Sequence, residues 1–187
     1  EDLVSFTRRL LARPDLARRT KLLHISVPLH FTQSVLDVSK LGEEDWARIR
    51  TVVRNACSNE GEFERWLMNF EEGDWDAVAA LLLSMTPNLE NLEFDSYRDD
   101  PEHMPILWAV MRQAQDLQKL HKSSPLAMGK LRRVCVRSPV DGNEHAVDAI
   151  LEFLKLNSVT SLEVHGFSGR FSLQSPENIH IRDLTIS

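Results

Sequence analysis

The sequence predicts an α/β fold assembled from stacked strand–helix units. Three observations predict it. Five short segments share the pattern apolar-x-x-apolar-x-apolar, the segments between them carry apolar residues at helical spacing, and no glycine-rich phosphate turn is present. The pattern occurs at Thr20 to Ile25 (TKLLHI, with Thr in the first apolar place), Leu89 to Phe94 (LENLEF), Leu131 to Val136 (LRRVCV), Val159 to Val164 (VTSLEV) and Ile181 to Ile186 (IRDLTI). In each, the last two apolar positions alternate with polar or small residues, the period-two sign of a half-buried strand.

Between these strands the period changes to that of a helix. Trp46, Ile49, Val53 and Ala56 form one stripe, and Phe63, Trp66, Leu67 and Phe70 a second. A third contains Trp75, Val78, Ala79, Leu82 and Leu83, and Pro87 ends it ahead of the next strand. After Pro105, a residue suited to a first helical turn, Leu107, Val110, Met111, Ala114 and Leu117 form a fourth. Asp141 or Asn143 caps a fifth, made by Ala146, Val147, Ile150, Leu151 and Leu154.

A strand–helix unit of this kind cannot bury its own apolar face. Stacking the units with right-handed crossovers yields parallel strands on the concave side and helices on the convex side. The central apolar residues Leu23, Leu92, Val134, Leu162 and Leu184 are separated by 69, 42, 28 and 22 residues. Leucine-rich repeats run about 20–29 residues. The C-terminal half therefore fits a leucine-rich-repeat-like solenoid, and the N-terminal units carry extra helices. A doubly wound α/β domain is the rival, but the seven glycines make no G-x-G-x-x-G or P-loop.

The 187 residues are read as one such domain, a piece of a longer chain. An apolar share of 42% with 27% charged residues suits a packed core rather than disorder. The net charge of −6 without a basic cluster argues against nucleic acid and anionic membranes as partners, and no apolar run reaches membrane-spanning length. Cys57 and Cys135 match no metal or redox spacing. Their scarcity suits a reducing, cytoplasmic or nuclear setting.

Two stretches carry a family resemblance. Leu10 to Arg19 (LLARPDLARR), followed by the strand from Leu22, and Leu81 to Leu92 (LLLSMTPNLENL) resemble fungal F-box proteins with irregular leucine-rich repeats. The resemblance implies the substrate-recruiting arm of a cullin-based ubiquitin ligase, in which an F-box binds the adaptor subunit and the repeats hold a protein target. Such an F-box would precede residue 1.

The sequence offers little for catalysis. There is no G-x-S-x-G elbow and no H-x-x-x-H or H-E-x-x-H pair among the seven histidines. No cofactor and no metal site is expected. The acidic groups Asp99, Asp100, Glu102, His103 and Asp141 to His145 are read as helix starts. Cys57 is expected to be a small buried thiol, and Trp108, at a stripe edge, a partly exposed aromatic anchor.

Binding is expected on the concave face, where residues alternating with the buried ones form columns across the strands. His24, Glu93, Cys135, Glu163 and Thr185 make one column. Ser26, Asp95, Arg137, His165 and Ser187 make a second, and Leu22, Asn91, Arg133, Ser161 and Asp183 a third. The candidate binding residues are His24, Glu93, Asp95, Arg133, Arg137, Glu163 and His165, together with Phe167 and Arg170 in a glycine-flanked loop. The predicted partner is a protein segment of acidic or mixed charge. The alternatives are a scaffold or signalling repeat without a ubiquitin role, and an α/β enzyme with its site in the strand-end loops.

Overall fold

The computed structural model describes residues 3–26, 37–95, 105–120, 124, 128–137, 152–166 and 181–186. Two helices, α1 (Leu3–Ala12) and α2 (Pro14–Arg19), lead into β1 (Leu22–Ser26). A 3-10 turn (Val38–Lys40) and three helices follow: α3 (Glu43–Ala56), α4 (Glu60–Glu71) and α5 (Trp75–Met85). Then come β2 (Asn91–Asp95), α6 (Pro105–Lys119), β3 (Arg133–Arg137), β4 (Ser161–His165) and β5 (Asp183–Ile186). The strands form one parallel sheet in the order β1-β2-β3-β4-β5. Leu23, Leu92, Val134, Leu162 and Leu184 pair in register across it, as the repeat spacing predicts.

Each strand after β1 begins the same way. The carbonyl of Lys21 accepts from the amides of both Glu90 and Asn91, Glu90 serves Arg132 and Arg133, Arg132 serves Thr160 and Ser161, and Thr160 serves Arg182 and Asp183. Ahead of this ladder, a one-turn bond closes Thr86 to Leu89, Met128 to Leu131 and Leu156 to Val159. The first apolar residue of the sequence pattern ends that turn, and Leu89, Leu131 and Val159 are all buried. The two stretches that carry the family resemblance also meet. The Asn88 side-chain amide donates to the Arg18 carbonyl at 2.7 Å, tying the end of α2 to the entry of β2.

One side of the sheet is the core side. Leu23, Ile25, Leu92, Phe94, Val134, Val136, Leu162 and Val164 are buried there with residues of every α-helix. Leu184 departs from expectation. It keeps its register position but is 46% exposed, because β5 is an edge strand with no covering element among the described residues.

The helix α5 also differs from the sequence reading. Its apolar stripe was expected to face one way, yet all eleven residues from Trp75 to Met85 are buried. It packs against α1, α2, α3, α4 and α6, and the small side chains of Ala77, Ala79 and Ala80 allow that close approach. Trp108 is corrected likewise. It is 1% exposed, covered by Phe153 of the following unit, whose ring stands edge-on at 5.9 Å. Of the helix predicted around Ala146 to Leu154, only 152–154 falls within the described residues.

Polar groups fix how the helices enter this core. Asp45 Oδ2 accepts from the Gly42 amide at the start of α3 and from Arg8 Nε of α1, at 3.1 and 2.9 Å. Asp76, in the first turn of α5, does more. Its Oδ2 and Oδ1 accept the amides of Ile106 and Leu107, each at 2.7 Å, so one carboxylate caps α6 from another helix.

Burial pushes the Asp76 carboxyl up to about 7 from the usual 3.8, against the two amide bonds that favour its ionised form. Folding therefore takes up a proton between pH about 4 and about 7. Stability falls as pH rises through that window and levels off above it. Asp76→Asn should lower stability by about 1–3 kcal/mol, since its amide nitrogen cannot accept the second amide bond. It should also flatten the pH 5 to pH 8 fall in the urea midpoint relative to the wild type. Leu92→Ala and Leu162→Ala should each cost about 2–5 kcal/mol in a denaturant melt, and Leu184→Ala clearly less.

Candidate functional site

The second side of the sheet is formed by the residues that alternate with the core positions. Period-two geometry places Leu22, His24 and Ser26 of β1 on it, with their register partners on β2 to β4. Seven of the nine predicted binding residues share this open face: His24, Glu93, Asp95, Arg133, Arg137, Glu163 and His165. Phe167 and Arg170 lie outside the described residues, as do the acidic groups at 99–103 and 141–145.

The charged side chains divide into two clusters. On the β1–β2–β3 side, Asp95 is shared: Oδ2 meets His24 Nε2 at 2.7 Å and Oδ1 accepts from Arg137 at 3.2 Å. The same Arg137 nitrogen donates to Glu93 Oε2 at 3.1 Å. These two carboxylates push the Arg137 guanidinium pKa up. On the β3–β4 side, Arg133 donates to Glu163 Oε1 at 2.5 Å, while Glu163 Oε2 stands 3.9 Å from His165 Nε2. Arg137 thus reaches back to β2 and Arg133 forward to β4, although both leave the same strand.

Cys135 sits between the clusters, opposite Glu93 on one side and Glu163 on the other. The surrounding long side chains leave it only 4% exposed. Burial pushes its thiol pKa up; among the nearby charges Arg137 acts most and lowers it, while Glu163 and Glu93 raise it. That environment holds the neutral thiol and does not suit a nucleophile, which needs the thiolate. Its Sγ, a Glu163 oxygen and a His165 nitrogen nevertheless lie within 4.8 Å of one another. Sequence spacing could not find this group, because its members come from two strands 28 residues apart in register.

A concavity lies on the helical side. It has a volume of about 310 Å³ and is lined by Cys57, Trp66, Ile106, Val110, Arg112 and Gln113, among others. Cys57 is half-buried at the end of α3 rather than enclosed in the core, because it borders this space. Burial still pushes its thiol up to about 11, with Glu62 contributing. The strand-end loops in which an enzyme site would lie, at 96–104, 138–145 and 166–171, fall outside the described residues except for Gly166.

The open-face pairs are half-exposed; side-chain exposure is 54% for Arg133 and 42% for Arg137. Screening by solvent limits such pairs to about 0–1 kcal/mol each. Replacing both arginines with Ala should therefore shift the denaturant midpoint by little, a total of about 1 kcal/mol or less. A larger loss would mean the pairs hold the sheet together.

No protein-family model, curated protein or solved structure matches this chain.

Proposed function

We propose that this chain is a non-catalytic protein-recognition module, a leucine-rich-repeat-like solenoid with the open sheet face as its concave binding surface. The observation that carries the reading is the strictly sequential parallel order of five in-register strands, with β1 to β4 apolar on the core side and mostly polar on the other. Doubly wound sheets reverse strand order at a switch point, and their ligands bind there. A sheet built without reversal offers instead an extended surface of repeated side-chain columns, which solenoids use to hold other proteins. The fungal F-box resemblance makes the target a ubiquitin-ligase substrate in the cytoplasm or nucleus. The adaptor contact would then belong to an F-box outside residues 1–187.

The charge of the face narrows the target. Glu93, Asp95, Glu163 and Asp183 outnumber Arg133 and Arg137, and both arginines pair with carboxylates on this face. An acidic segment would have to displace those carboxylates. A segment of basic or alternating charge can add to them. The target chemistry is therefore mixed or basic rather than acidic.

The test is a comparative pull-down with the wild type, the Arg133→Ala/Arg137→Ala pair and the Glu93→Gln/Asp95→Asn pair, at matched folding. Partners should be lost with the carboxylate pair, and capture should weaken steeply as salt rises. An unchanged partner list in both variants would remove the open face as the binding surface.

A further inference from the structure

We propose that Cys135, Glu163 and His165 form a binding site for a single thiophilic divalent metal ion, zinc by preference, on the open face of β3 and β4. This goes beyond protein recognition, because a metal site can be present or absent whatever the face binds.

The geometry rests on strand register. Cys135 and Glu163 are direct partners in the parallel pair, and His165 follows Glu163 by two residues, so it leaves the same side. The three donor atoms form a triangle with no edge above 4.8 Å. Zinc binds sulfur at about 2.3 Å, nitrogen at about 2.0–2.1 Å and carboxylate oxygen at about 2.0–2.2 Å, so tetrahedral ligands stand roughly 3.4–3.6 Å apart. The 3.9 Å between Glu163 Oε2 and His165 Nε2 is already near that spacing, and binding would require side-chain rotation to shorten the other two distances from at most 4.8 Å.

The donor set is also the right chemistry. Thiolate with imidazole and one carboxylate suits zinc far better than magnesium or calcium, which take oxygen ligands. Three protein donors from one face leave the outer position for water or a partner's side chain, as in open zinc sites.

Arg133 does not obstruct this arrangement. It holds Glu163 through Oε1 and leaves Oε2 turned toward His165, as an outer-shell partner orients a ligating carboxylate. Binding exchanges the Cys135 thiol proton for the metal and releases that proton to solvent, with no change of oxidation state. Glu93, on the far side of Cys135, offsets part of the added positive charge.

Cobalt titration of the reduced chain tests the site. One Co²⁺ per chain should produce a near-ultraviolet thiolate-to-metal band and intense visible bands of tetrahedral geometry, both displaced by Zn²⁺. Cys135→Ser should abolish the thiolate band, whereas Cys57→Ser should leave it intact. His165→Ala is partly exposed and leaves the core untouched. It should weaken cobalt binding by about tenfold or more, at least the size of an outer-shell loss, with the circular dichroism unchanged. This variant decides the matter if Cys135→Ser fails to fold. The proposal is overturned if folded wild type gives no thiolate band in excess Co²⁺. It is equally overturned if the band follows Cys57, or if His165→Ala binds as tightly as the wild type.

Discussion

Burying every residue of α5 leaves that helix no polar side for water, so each neighbour must present apolar surface to it. The demand falls on α1 and α2 before β1, on α3 and α4 between β1 and β2, and on α6 after β2. The segment between β1 and β2 is therefore long. A single crossover helix would cover only one stripe of α5, and the insertion of α3 and α4 covers the rest. Trp66 shows how polar groups are accommodated in so dry a place: its indole nitrogen donates to the Ala77 carbonyl at 3.0 Å. Ser84 and Thr86 return their hydroxyls to the carbonyls of Ala80 and Leu82 one turn earlier. Such bonds satisfy the side chain without demanding another partner in the core.

The same constraint accounts for Asp76. A buried carboxylate without partners is costly, and two amides from the first turn of α6 are good compensation because they lack intrahelical acceptors. The interaction fixes α6 at the N-terminal end of α5, which places Trp108 against Phe153 of the next unit. Phe153 in turn contacts Phe94 of β2, with ring centroids 6.5 Å apart. The packing of α6 onto the sheet thus passes through aromatic contacts that begin at one carboxylate.

The strands and their register were legible because burial on one face imposes strict alternation, and a slip of one residue would turn each apolar pair outward. The entry turns were legible for a related reason. Leu89, Leu131 and Val159 must be apolar wherever the chain dives into the core before each strand. The surroundings of α5 were not legible. Periodicity reports one preferred face, whereas a helix enclosed by five others is apolar all round, and its alanines read as neutral. Trp108 was misjudged because a stripe edge on an isolated helix becomes an interior when the next unit stacks over it. Leu184 was misjudged in the opposite sense, since a core-type position on an edge strand is only as buried as whatever covers it. Asp76 gave no signal beyond that of an ordinary first-turn acid.

The open face was legible as a set of columns but not as a circuit. Column order follows from register alone, and it puts both arginines beside acids. Which acid each arginine chooses depends on side-chain reach, and Arg133 and Arg137 turn in opposite directions from one strand. That divergence has a consequence for Cys135. Had both arginines leaned over β3, the thiol would lie beneath two cations. Instead Arg137 is tied to the β2 carboxylates and Arg133 to Glu163 Oε1, and carboxylates flank the thiol in register on both sides. Burial disfavours a free thiolate there, while the flanking carboxylates favour a bound cation. Burial that suppresses nucleophilic chemistry at Cys135 and carboxylates that can receive positive charge from outside therefore meet at one position of the sheet.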